Sequence, residues 1–94
     1  GYGSDVDLVT KSLVQCAEEN PAILKTPEAF VRFKDFGESS LDFQLIFWTE
    51  ESFRSEFLKS QLRYAIDRKF RENKIQIPFP QRDVHIIPRA DKAD

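Results

Sequence analysis

An α+β fold, with two helices laid on one face of a small sheet, is what this sequence predicts, and three observations carry the prediction. Apolar residues recur at helical spacing in two separate stretches, one near the start and one past the middle. Between them, and again near the end, apolar and polar residues alternate one by one, the period of a half-buried strand. Prolines and short polar turns stand where the period changes.

The first helix is expected over about Asp5–Asn20. Ser4 or Asp5 is a suitable N-cap, and Ser4 with Asp7 three residues on resembles a capping box with Asp in place of Glu. Val6, Val9, Leu13, Cys16 and Ala17 then form one apolar stripe, widened by Leu8 and Val14. Asn20-Pro21 ends it, because the residue before a proline is pushed out of the helical region. Pro21 to Glu28, with two prolines, reads as a connection.

Ala29, Val31 and Phe33 alternate with Phe30, Arg32 and Lys34, a strand with one buried face. Gly37-Glu38-Ser39-Ser40 is a turn. Leu41, Phe43, Leu45 and Phe47 then alternate with Asp42, Gln44, Ile46 and Trp48, and the two strands read as a hairpin. From about Glu51 to Asn73 the period is helical again, roughly 33 Å at 1.5 Å per residue. Phe53, Phe57, Leu58, Leu62, Ala65, Ile66 and Phe70 form its expected core stripe. Arg54, Lys59, Arg63, Asp67 and Arg71 lie opposite, and Arg63 and Asp67 sit at i,i+4, where an ion pair is worth a few tenths of a kcal/mol.

Ile75 and Ile77 lead into Pro78-Phe79-Pro80, which neither a helix nor a central strand tolerates. Asp83-Val84-His85-Ile86-Ile87 is a final strand, and Arg89–Asp94 a polar tail expected to fray. The order is thus helix, strand, strand, helix, strand. A leading strand before the first helix would complete the β-α-β-β-α-β pattern of a split βαβ, or ferredoxin-like, sandwich. Tyr2-Gly3 reads as the stump of that largely missing strand.

At 94 residues the chain has the length of one domain with one core. Nine Phe, one Trp and two Tyr supply bulky core material. A net charge of −2 gives neither the basic face that nucleic acid requires nor a polybasic segment for anionic lipid. One cysteine excludes an internal disulfide and a Cys-rich zinc site. The longest apolar runs, such as Leu45–Trp48, are far too short to span a bilayer. No signal peptide is visible and the chain opens without Met, which suggests a cut or processed end, with any membrane-crossing segment upstream.

The chemistry-bearing residues are sparse. His85 is the single histidine, and a metal site would need further ligands, so a packed or solvent-facing strand residue is its default reading. Cys16 falls on the core stripe with Glu18 and Glu19 following, the opposite of the electropositive setting that activates a thiol. Glu18-Glu19, Glu50-Glu51 and Asp67 sit at helix ends or on polar faces. No phosphate-binding glycine motif, P-loop or nucleophile elbow is present. Phe30-Val31-Arg32-Phe33-Lys34-Asp35-Phe36 has a superficial look of an RNA-recognition segment, but the glycine that pattern requires is missing. No cofactor, metal or catalytic residue is therefore expected, and no nucleic-acid partner.

Several stretches together resemble the carboxy-terminal domain of the small-conductance mechanosensitive (MscS) channel family. Tyr2-Gly3-Ser4-Asp5 before an amphipathic helix resembles its YGTD or YGSD entry. Asn20-Pro21 and then Asp35-Phe36-Gly37-Glu38-Ser39-Ser40-Leu41 resemble its NP and DFGDSS segments, with Glu38 for the commoner Asp. Ala65-Ile66-Asp67 and Phe70 are similar to the ending of its second helix. Ile75-Gln76-Ile77-Pro78-Phe79-Pro80-Gln81-Arg82-Asp83-Val84 is similar to GIEIPFPQRDV, although the family often has Gly where Asn73 or Lys74 stands. These pieces run in order over about residues 2–87.

The resemblance implies a homo-oligomer, usually a heptamer, whose pore helices release ions and small solutes on hypo-osmotic shock. In such channels the α/β domains form the wall of a cytoplasmic cage that filters solutes, on the inner side of the cell membrane. The implied division is an α/β domain over 1–78, an exit segment and barrel strand over 79–88, and a polar tail over 89–94. Residues carrying structure and assembly would be Gly37 in the hairpin turn and Pro78, Phe79, Pro80 and Gln81 in the exit. Asp83, Val84, His85, Ile86 and Ile87 would form the barrel strand, separated from the domain sheet by the prolines. The alternatives are a ferredoxin-like regulatory domain binding a small ligand at a dimer interface, and an enzyme of a kind the missing constellations do not support.

Overall fold

The computed structural model describes residues 6–35, 41–75 and 82–90. Its first element, α1, spans Val6–Glu18 and turns Val9, Ser12, Leu13, Cys16 and Ala17 into the core. This is the stripe the spacing predicts, with Ser12 added. Ser12 is tolerated at 1% exposure because its Oγ accepts a hydrogen bond from Asn73 Nδ2 at 3.2 Å, which ties α1 to the far end of the second helix. Past α1, Asn20 folds the chain over: its Oδ1 accepts from Ala22 N at 2.9 Å and its carbonyl from Ile23 N at 3.1 Å. The expected Ser4 cap and the leading strand lie outside the described residues.

Strands β1, Phe30–Asp35, and β2, Leu41–Thr49, pair antiparallel from Phe30↔Ile46 to Asp35↔Leu41. The register puts Val31 and Phe33 opposite Leu45 and Phe43 on the inner face. Phe30 and Arg32 stand opposite Ile46 and Gln44 on the outer one. On β2, Phe43, Leu45, Phe47 and Thr49 are fully buried against the helices, while on the outer face Ile46 is buried too, at 4% exposure. Thr49 is polar but satisfied, since its Oγ1 donates to the Ala22 carbonyl at 2.8 Å and accepts from Glu51 N at 2.9 Å. With Leu24 N donating to the Trp48 carbonyl at 2.8 Å, these bonds fasten the connection after α1 to the end of β2.

A single 3₁₀ turn, Ser52–Arg54, precedes α2, Ser55–Glu72. Leu58, Leu62, Ile66 and Phe70 of α2 are buried. Phe53 and Phe57 are not: they are 83% and 51% exposed, and the expectation that they belong to the core is corrected. The cause is local. The 3₁₀ turn changes the angular step ahead of α2, so Phe53 does not continue the stripe that starts at Leu58. Asp67 pairs with Arg71 and not with Arg63. The end of α2 is a Schellman motif, in which Ile75 N donates to the Phe70 carbonyl at 2.8 Å and Lys74 N to that of Arg71 at 3.1 Å. Lys74 takes φ 56°, the left-handed conformation for which glycine is the usual residue.

The last strand, β3, spans Arg82–Ala90 and is longer at both ends than the expected 83–87. It pairs parallel with β2 over its whole length, from Leu41↔Arg82 to Thr49↔Ala90, and the sheet order is β1-β2-β3. The expectation that the prolines separate this strand from the domain sheet is thereby corrected, and Arg89 and Ala90 belong to the strand, not to a frayed tail. The physical reason is that β2 is buried along one face, and without β3 its second edge would hold a row of unpaired backbone groups. Gly37 and Pro78–Gln81 lie outside the described residues.

Two stability outcomes follow from this packing. Phe47→Ala should cost about 3–5 kcal/mol in urea unfolding, the range for emptying a buried aromatic site. Lys74→Gly should instead raise stability by about 1 kcal/mol by relieving the left-handed strain.

Candidate functional site

Of the residues singled out in the sequence for structure and assembly, those described lie on β3, an edge strand among the described residues. Ile86 is buried in the core at 7% exposure, and Val84 packs partly against it. His85 and Ile87 project to the outer face, in register with Gln44 and Ile46. His85 Nε2 lies 3.6 Å from Asp42 Oδ2, a contact that spans the two strands diagonally. Asp83 stands in register with Asp42 at the start of the strand. Among the described residues, no three His, Cys, Asp or Glu side chains gather into a metal-binding group. No helix among them is long and apolar enough to cross a membrane.

Three surface features had no counterpart in the sequence reading. On the outer sheet face Phe30 stacks on Trp48 with centroids 6.0 Å apart. Arg32, Arg89 and Ile87 join this pair around a concavity of about 160 Å³, and Arg32 Nε donates to Gln44 Oε1 at 3.0 Å. On the helical side, Phe53, Phe57 and the 69% exposed Tyr64 lie along the start and middle of the α2 segment. The Arg54 guanidinium sits 4.8 Å over the Phe57 ring while also pairing with Glu51. At the other edge, Ala17, Ile23, Leu24 and Ala29 line a pocket of about 330 Å³ flanked by Glu18, Lys25 and Glu28. Periodicity could not reveal these features, because they depend on which aromatic residues the core leaves over.

Cys16 is buried, and burial pushes its thiol above the ordinary value, with the nearby Lys69 ammonium opposing in part. It is a packing residue. Lys69 Nζ donates to Glu19 Oε2 at 3.0 Å, joining α2 to the end of α1, and that hydrogen bond holds the Lys69 ammonium above its ordinary value.

The described topology is that of an α+β sandwich, and a solved structure of MamM CTD superposes with a TM-score of 0.60 at 17% identity. It covers 96% of this chain and 100% of its own. That likeness establishes the ferredoxin-like fold. Residues 1–77 match the family model described as mechanosensitive ion channel MscS, C-terminal. An MscS family protein of Synechocystis sp. is 42% identical over 98% of this chain. A small-conductance mechanosensitive channel of Helicobacter pylori is 34% identical over 92%, and the mechanosensitive channel MscK of Escherichia coli 38% over 90%. The molecule is thus a domain of the mechanosensitive-channel class, and the chain belongs to the MscS family. It spans 31% of the length of the Synechocystis and Helicobacter relatives and 8% of that of MscK.

Two measurements probe these groups. A thiol reagent should label Cys16 only as fast as the domain opens, with full reaction on addition of denaturant. For Lys69 the folded value is raised, so its stabilising contribution is complete below the ordinary lysine value of 10.5 and is lost as pH rises through the raised one. Lys69→Met should therefore lower the melting temperature slightly at neutral pH and leave it unchanged in strong alkali.

Proposed function

We propose that this chain is a non-catalytic wall domain of a mechanosensitive channel's cage, on the cytoplasmic side of the inner membrane. The parent channel would release ions and small solutes on hypo-osmotic shock, and the domain would serve assembly and solute filtering. The observation that carries the assembly part is β3, a nine-residue strand at the edge of its sheet, bonded to β2 along one side only among the described residues. Such an edge is a template for a strand from another chain. A parallel strand directs alternate residues' N–H groups to opposite sides, so apart from Pro88, which has no N–H to give, about half of β3's donors face away from β2. Val84, His85, Ile86 and Ile87 would then do two tasks, with one edge closing the domain and the other joining identical subunits. Pro78, Phe79, Pro80 and Gln81 would act as the rigid exit that presents the strand, and Gly37 would serve the hairpin turn. Asp83 would open the assembly strand. The scarcity of catalytic constellations in the sequence supports a structural role over an enzymatic one.

Hydrogen exchange on β3 tests the assembly reading. In the isolated domain, alternate β3 amides should be protected and the others should exchange freely. In the intact channel both sets should be protected, and an unchanged alternate pattern would sink the edge-joining reading. The channel reading itself requires an apolar run of about 20 residues upstream in the parent subunit. It also requires tension-gated conductance in membrane patches.

A further inference from the structure

We propose that the outer face of the sheet binds a small flat organic anion, an aromatic carboxylate in chemical class. Its ring would lie on the shelf of Phe30 and Trp48, and its carboxylate would be held by Arg32 and Arg89. The site lies within one copy of the chain and goes beyond any place of that chain in a channel wall.

Three strands build the concavity. β1 supplies Phe30 and Arg32, β2 supplies Ile46 and Trp48, and β3 supplies Arg89. Ile46 is its floor, in register with Phe30 on one side and Ile87 on the other, and is 4% exposed although it points away from the helices. Phe30 and Trp48, with centroids 6.0 Å apart and planes tilted by 34°, offer a ring surface at its side, and Phe30 is 42% exposed. Aromatic rings take another flat ring in an offset or tilted stack. At about 160 Å³ the space is roughly half the 300 Å³ at which sites for drug-sized ligands begin, so it suits one ring or two fused ones.

The sign of the charge selects the occupant. The described lining holds two guanidinium groups and no carboxylate. Neither arginine belongs to an ion pair among the described residues. Arg32 Nε is engaged by Gln44 Oε1 at 3.0 Å, which fixes the fork and leaves its terminal N–H groups for an acceptor. Asp42, the acid of this face whose side chain is described, is turned to His85 at 3.6 Å. Glu28 and Glu50 stand exposed beyond the strand ends and do not line the concavity. A guanidinium stacks on rings, sheds water more readily than an ammonium and bonds a carboxylate in bidentate fashion. Arginine beside aromatic rings therefore fits an anion that is flat and apolar elsewhere. A second copy of the same face would set arginines against arginines, which disfavours self-pairing.

Equilibrium dialysis on the intact parent protein in detergent tests the site, with indole-3-carboxylate as the ligand. Its uncharged counterpart, indole-3-carboxamide, and acetate, which has no ring, serve as comparisons. The carboxylate should bind saturably, and both comparisons at least about tenfold more weakly, the size of a lost charge-assisted hydrogen bond. Arg32→Gln and Arg89→Gln replace exposed side chains, so each should melt with the parent while weakening the carboxylate about tenfold. Trp48→Leu should weaken it several-fold through the lost ring contact. Absence of saturable binding, equal binding of the carboxamide or of acetate, or full affinity in either arginine variant overturns the site.

Discussion

The structure depends on one pairing, the parallel register of β3 with β2. Parallel neighbours cannot be joined by a tight turn, so the chain must travel back along the sheet before β3 begins. Nine residues of β2 advance about 30 Å at 3.3 Å each. The eighteen residues of α2 return about 27 Å at 1.5 Å each. The match of these lengths makes α2 a crossover helix, and it fixes which of its faces meets the sheet. Leu58, Leu62, Ile66 and Phe70 are buried because that face lies over the inner residues of β2 and β3.

The same geometry divides the strands' duties. β2 is enclosed on its inner face and bonded along both edges, so it contributes Phe43, Leu45 and Phe47 to the core without residual exposure. Among the described side chains of β3 only Ile86 is buried, and His85 and Arg89 stand in solvent. Its hold on the domain therefore rests more on backbone bonds than on burial, whereas that of β2 rests on both. A strand attached in this way is suited to a boundary between a domain and its neighbours.

Much of this was legible in the sequence, for identifiable reasons. Alternation along Leu41–Trp48 gave the face of β2 outright, because a period of two leaves no freedom once one face is buried. The stripe Val9-Leu13-Cys16-Ala17 was equally plain. The partner of β3 was not legible, since the prolines before it argue for a break in the chain path and say nothing about where the chain returns. Phe53 misled for a related reason, and Phe57 because it stands one residue, about 100° round the helix, from the buried row that starts at Leu58. Spacing assigns residues to a stripe only while one helical step persists, and the 3₁₀ turn at Ser52–Arg54 interrupts it. The outer-face concavity around Phe30, Trp48 and Arg89 joins residues from three strands, so it required the register of both pairings.

These departures share a cause that bears on function. A domain of this size has one core, and α1, α2 and the sheet fill it with Leu, Val and Ile residues and a few Phe side chains. Aromatic residues beyond that need are not excluded by folding, but they carry a solubility cost when left in water. Phe53 and Phe57 stand exposed at one edge of the sandwich, beside Arg54 and its partner Glu51, while a pocket floored by Ala17, Ile23, Leu24 and Ala29 stands at the other. An isolated domain gains nothing from either feature. Folding alone does not account for them, and exposed apolar surface of this kind marks a contact beyond the domain.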